Sequence, residues 1–200
     1  RNFNYSRSLK PINDLKISTQ NVKESNVSSF IPKLEPNESA YYLDHGCGSG
    51  SMRRFIESLG YTYIGADNES GLSTSIGGGE GFKGGATHYC DLHRLPFADG
   101  SFKFAHSYSV FEHLQNPFLG AKELFRVMES KGTCFIAIAN LIPFHMDSFY
   151  HMTHFGVLNL FQSVGFKVDQ VAGANWNGYE AISSLGGLPG PKWFRDLISG

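Results

Sequence analysis

From residue 40 onward the chain alternates short apolar runs with stretches of helical spacing. Ala40-Tyr41-Tyr42-Leu43-Asp44 is an apolar run closed by an acid and followed at once by glycines, the pattern of a buried strand leaving a core. Met52, Phe55, Ile56 and Leu59 then recur at i, i+3, i+4 and i+7, one face of a helix, with Gly60 where that helix should stop. A second strand is predicted over 61–66, again closed by an acid, Asp67. Residues 86–90 read as a third strand and 101–107 as a fourth. Phe118, Ala121, Leu124, Phe125 and Met128 mark a helix opened by Pro117, a position where proline is tolerated. A fifth strand is expected over 133–139, a helix over 153–164 ended by Gly165, and a sixth strand over 166–171.

Strands alternating with helices imply an α/β fold: a mostly parallel, twisted sheet covered on both faces by helices. Two stretches break the rhythm. Residues 1–39 are polar, with Pro11, Pro32 and Pro36 barring any long helix, and read as an N-terminal arm or lid with short helical pieces. Residues 71–85 hold seven glycines, too many for a helix interior at ~1 kcal/mol each relative to alanine, and read as loop. The expected organisation is an arm (1–39), one ligand-binding domain (40–172) and a tail (173–200), either incomplete or folded over the site. Two hundred residues suit a single core of this kind.

Charge and cysteine content narrow the setting. Seventeen basic residues against eighteen acidic ones leave no basic surplus, which argues against a nucleic-acid partner. Cys47, Cys90 and Cys134 stand far apart, without a CxxC pair, so neither a disulfide framework nor a cysteine zinc site is expected. Signal-peptide and membrane-span patterns are lacking, which fits a reducing, cytoplasmic protein. Arg1 stands in place of an initiator methionine, as in a trimmed chain.

The chemistry concentrates at the first strand's exit. In Asp44-His45-Gly46-Cys47-Gly48-Ser49-Gly50 the glycines allow a sharp turn and a close ligand approach, at the edge where open α/β sheets bind ligands. Asp67, about 20 residues on, stands where an acid accepts ribose hydroxyls. A nicotinamide dinucleotide site would carry GxGxxG, whereas Gly46, Gly48 and Gly50 spell GxGxG with Ser51 after them. Asp44 beside the turn suits a cationic ligand better than a pyrophosphate.

Four ordered segments resemble the class I S-adenosylmethionine-dependent methyltransferases, in particular the motif set of the ubiquinone and menaquinone biosynthesis type. Residues 43–50 are similar to that family's motif I and residues 91–102 to its D…LPF-DGSF stretch. Val110-Phe111-Glu112-His113-Leu114 resembles vlEHl, and Glu123-Leu124-Phe125-Arg126-Val127 resembles El-RV. The resemblance implies a Rossmann-like fold and methyl transfer from S-adenosylmethionine to a small molecule or glycan precursor, with no membrane or nucleic-acid partner. By that resemblance Asp44 and the Gly46, Cys47, Gly48 and Gly50 backbone surround the methionine moiety. Asp67 with Asn68 holds the ribose, Asp91 and Leu92 frame the adenine, and the backbone at Ser107 faces the amino group. Three features depart from the pattern: the glycine-rich 71–85 in place of a second helix, Lys103 in place of Asp, and Glu129-Ser130-Lys131-Gly132 in place of kPGG. A non-catalytic cofactor- or nucleoside-binding module serving a partner protein, and a nicotinamide-dependent oxidoreductase, are the alternatives.

His145, Asp147, His151 and His154 fall within ten residues after the fifth strand. Pro143-Phe144-His145 with Tyr150 and Thr153 is similar to a PFH…DY-R-T segment of one branch of the family, with Phe149 and His151 replacing the Asp and Arg. Three readings stand open: a solvated loop, an acceptor site with one histidine as general base, and a metal site, although the spacing fits no standard zinc motif. His113, after the fourth strand, is a further candidate for acceptor contact. His45, His88, His93 and His106 read as structural or solvated, and Trp176 and Trp193 as packing residues of the tail.

Overall fold

The computed structural model describes residues 16–18, 31–68, 85–139 and 148–172. Its centre is a five-stranded, all-parallel sheet of β2 (Tyr41–His45), β3 (Thr62–Asp67), β4 (His88–Tyr89), β5 (Phe102–Tyr108) and β6 (Met128–Ala137), in the order β4-β3-β2-β5-β6. The order reverses at β2, whose neighbours are β3 on one side and β5 on the other. Ligands in such sheets bind at that switch point, beyond the carboxyl ends of the strands.

Both faces of the sheet are covered, each for a reason visible in the side-chain alternation. On one face Tyr42, Tyr61 and Tyr63 pack with Ile56 of α1 (Arg53–Ser58) and with Ile31 and Leu34 from the chain ahead of β2. Backbone bonds fasten that entering chain, with Leu34 N–H donating to Leu59 O (2.9 Å), and the Tyr61 hydroxyl donates to Pro32 O (2.9 Å). On the other face Leu43, Ala66 and Ala105 pack with Ala121, Leu124 and Val127 of α2 (Pro117–Val127) and with Leu160 and Phe161 of α3 (His154–Val164). Both longer helices are capped as their sequences ask: Asn116 Oδ1 accepts from Leu119 N, Thr153 Oγ1 accepts from Gly156 N, and Gly165 ends α3 with φ +118°.

The sheet differs from expectation at its margins. The third strand shortens to the two residues of β4. The fifth starts earlier, because Met128 pairs with Phe102 before the chain bulges, and Lys131 turns to φ +69° ahead of Thr133. The sixth expected strand does not join the sheet at all. Phe166 and Val168 are held by side-chain packing against the α2/α3 core, and ladder pairing begins only at β7 (Gln170–Ala172). That strand pairs in parallel with β1 (Lys16–Ser18), so residues 16–18 are strand where short helical pieces are expected, and residues 31–39 hold no helix. The other helical pieces expected before residue 31, the loop over 71–84 and the tail lie outside the described residues. Lys103, unusual for its place, pairs with Glu38 (3.2 Å). Among the described residues no helix is long and apolar enough to cross a membrane.

Candidate active site

The chain leaves β2 through a turn in which Gly46, Gly48 and Gly50 all have positive φ, at +77°, +50° and +67°. Gly46 N and Cys47 N both donate to Ala66 O at the end of β3 (2.8 and 3.2 Å), and Gly50 N donates to Cys47 O (2.8 Å). Packing leaves no space for a side chain at Gly46, Gly50 or Gly85. A Cβ on Gly46 would stand 2.2 Å from Val110 Cγ2, and one on Gly85 would stand 2.2 Å from Gly48 O. The glycines of the turn are therefore held closely between the β5 exit and the chain entering β4.

Two carboxylates flank it. Asp67 Oδ2 accepts the Gly48 N–H (2.6 Å) and Oδ1 accepts the Asn68 N–H (2.7 Å), which ties the ends of β2 and β3 together. Burial nevertheless raises its pKa above the ordinary carboxylate value. Asp44 is buried; its Oδ2 accepts from the Tyr63 hydroxyl (2.7 Å) and its Oδ1 from His106 Nε2 (2.9 Å). A carboxylate offers about four acceptor positions, so each acid keeps capacity after these bonds. Asp91, beyond β4, is exposed; its Oδ1 accepts from His93 N (2.9 Å) and His93 Nδ1 (2.7 Å), which hold its pKa low. Leu92 is a core residue, so only its backbone can serve a ligand. Cys47 is a protonated thiol, pushed up to about 12 by burial and by the charges of Asp44 and Asp67.

Ser107 is fully buried, and its hydroxyl meets His45 Nδ1 (3.0 Å), while the His45 ring stacks on Phe111. Beyond β5, Ser109 adopts φ +51°, a conformation rare outside glycine, and its N–H donates to Ala137 O (2.9 Å). A single 3₁₀ turn, Phe111–His113, follows. Here the fully buried Glu112 fastens the exit of β6: Oε1 accepts from Ala139 N (3.0 Å), and its backbone carbonyl accepts from Phe149 N (2.7 Å) and Tyr150 N (3.2 Å).

Glycine turn, flanking acids and switch point thus converge on one edge of the sheet. Residues 43–136 match the family described as a methyltransferase domain. That stretch of the chain is a methyltransferase domain. S-adenosylmethionine is its cofactor. Among solved structures it resembles an S-adenosylmethionine-dependent methyltransferase from Thermotoga maritima (19% identity, 72% of this chain and 69% of that one, TM-score 0.53). It also resembles one from Mesorhizobium loti (17% identity, 72% and 80%, TM-score 0.54). A third is a Haloferax volcanii methyltransferase complex with the activator Trm112 (18% identity, 70% and 66%, TM-score 0.53). At such identities these likenesses carry the fold. No curated protein matches the sequence.

The histidines expected at the methyltransferase's acceptor side fall in different places. His113 ends the 3₁₀ turn, half-buried, and its N–H donates to Val110 O (2.9 Å). His151 and His154 are exposed, with the His154 ring against Phe155 (4.3 Å between centroids). His145 and Asp147 lie outside the described residues, and among the described residues no cluster of three or more metal-ligating side chains occurs. The sequence gives no site role to Tyr63, Gly85 or Glu112, and His106, expected to be structural or solvated, is buried against Asp44. Glu112 had a signal, the vlEHl segment, but its partners are set by tertiary pairing.

Proposed function

We propose that the domain transfers a methyl group from S-adenosylmethionine to a small-molecule or glycan-precursor acceptor. The bond from Gly48 N–H to Asp67 carries this reading, because it sets a glycine turn and a half-buried acid with spare acceptor capacity side by side. A nucleoside whose sulfonium tail bears an ammonium group fits those features. Gly46, Cys47, Gly48 and Gly50 would meet the aminoacyl part with their backbone, beside Asp44 and the backbone at Ser107. Asp67 and Asn68 would take the ribose, and Asp91 and the Leu92 backbone the adenine. Bound there, the cofactor supplies an electrophilic methyl group on a positively charged sulfur. The chain's own work is to orient the acceptor and exclude water, and well-oriented reactants account for ~7–11 kcal/mol of a barrier.

A depression of about 470 Å³ between the N-termini of α2 and α3 supports a small acceptor with an apolar body. Phe118, Tyr150, Met152 and Leu160 line it, with the amides of Gln115 and Asn159 among them. Both helices begin at the carboxyl ends of strands, so this hollow shares the sheet edge with the glycine turn. Where the acceptor must lose a proton, a ring nitrogen of His113, His145, His151 or His154 would take it. Incubating the purified chain with radiolabelled cofactor and a metabolite extract should label a small molecule. Alanine at the histidine acting as base should lower turnover by about 10²–10⁴ with cofactor affinity kept. Labelling of RNA or protein alone would overturn the acceptor class.

A further inference from the structure

Parallel pairing sets Asp44 of β2 directly opposite His106 of β5 and Gly65 of β3. Side chains at paired positions share a face of the sheet, as do those two residues apart along a strand. Tyr42, Asp44, Tyr63 and His106 therefore project to one side. The missing side chain of Gly65 keeps that side open: a Cβ there would stand 2.9 Å from the Tyr63 hydroxyl and from Cys47 Sγ. Through this opening Tyr63 reaches Asp44 Oδ2 (2.7 Å), while His106 Nε2 reaches Oδ1 (2.9 Å) from the opposite strand. The carboxylate is gripped from both sides, at the residue where β2 gives way to the glycine turn.

The donors are set by their surroundings. Burial and the Asp44 charge push the Tyr63 phenol well above its ordinary value, so its hydroxyl keeps the proton it donates. Burial does the same for Tyr42, whose hydroxyl lies 3.0 Å from His106 Nδ1. With Nε2 facing a carboxylate and carrying the ring proton, Nδ1 is the acceptor for Tyr42. The hydrogen-bond chain runs Tyr42 to His106 to Asp44, with Tyr63 closing it from the far side. Asp44 has no lysine or arginine partner among the described residues, although buried carboxylates are costly without a cation.

We propose that His106 and Tyr63 are positioning residues that fix Asp44 for the ammonium end of the cofactor, and so set specificity for its aminoacyl part. This rests on the cofactor reading above. The two residues act through Asp44, so their removal weakens only ligands that carry the aminoacyl group. Calorimetry on the whole chain separates the cases, with S-adenosylhomocysteine as the probe that has that group and methylthioadenosine as the probe that lacks it. Tyr63→Phe, which deletes one oxygen, is expected to weaken S-adenosylhomocysteine about tenfold, the usual loss for a hydrogen bond to a charged group. Methylthioadenosine affinity should stay within about twofold, which also shows the variant folded. His106→Leu should behave like Tyr63→Phe, and His106→Gln, which keeps a donor, should restore part of the loss. Equal weakening of both probes, or unchanged binding of S-adenosylhomocysteine in variants of a binding-competent chain, would overturn the inference alone. A wild-type chain that binds neither probe would overturn the cofactor reading and the inference with it.

Discussion

Asp67 is the residue on which two functions meet, because the same carboxylate that would hold a ribose already holds the glycine turn through Gly48 N–H. Asp67→Ala should weaken S-adenosylmethionine binding by ~1.5–3 kcal/mol, roughly tenfold to a hundredfold, from lost charge-assisted bonds. Calorimetry on the folded variant checks this, and unchanged affinity would put the ribose elsewhere. Acids such as Asp44 and Asp67 were legible in the sequence because each closes an apolar run just where the chain must turn. His106 was not. It occupies a strand position that alternation marks only as inward-facing, and its meaning comes from the register that sets it opposite Asp44. Glu112 was hidden in the same way, since its partners at Ala139, Phe149 and Tyr150 are brought to it only by the fold.

At the scale of elements, Arg126 explains why two separated segments of the family resemblance occur together. Its guanidinium bonds both oxygens of Glu123 (3.0 and 2.8 Å), Asp99 (2.7 Å), and the carbonyls of Phe97 and Leu95 (2.7 and 2.9 Å). One side chain on α2 thereby fixes the 91–102 stretch that leads from β4 into β5. A lysine has no planar fork to meet all of these at once. Arg126→Lys should cost ~1–2 kcal/mol, the modest figure allowing for the solvent that reaches this pair. A chemical denaturation midpoint equal to wild type would contradict that role. The central strands and both long helices could be read from spacing and caps. The β6 bulge and the β1–β7 pairing could not, because periodicity marks a strand without naming its neighbour.

Over the whole molecule, buried polar groups tie stability to pH. Burial lowers the His45 pKa from 6.5 to about 4, so the unfolded chain binds more protons throughout that window. Stability is then complete above pH 6.5 and falls as pH drops toward 4, by ~2 kcal/mol at pH 5 and ~3 kcal/mol at pH 4. Asp91 and Glu123, both held below their ordinary values, lose stability in the same direction at lower pH. Asp67, held above its ordinary value, opposes them by favouring the protonated folded state. Denaturant unfolding at pH 7 and pH 5 should show this loss, and His45→Phe should flatten it. An unchanged slope in that variant would assign the pH dependence to other groups.

The ligand preference of the entire site can be read in a single titration. Isothermal calorimetry of the purified chain against S-adenosylmethionine and, separately, NAD sets a GxGxG turn flanked by Asp44 against the pyrophosphate that a dinucleotide site requires. A methyltransferase site predicts saturable binding of S-adenosylmethionine and no binding of NAD. Tight binding of NAD without S-adenosylmethionine binding would contradict it.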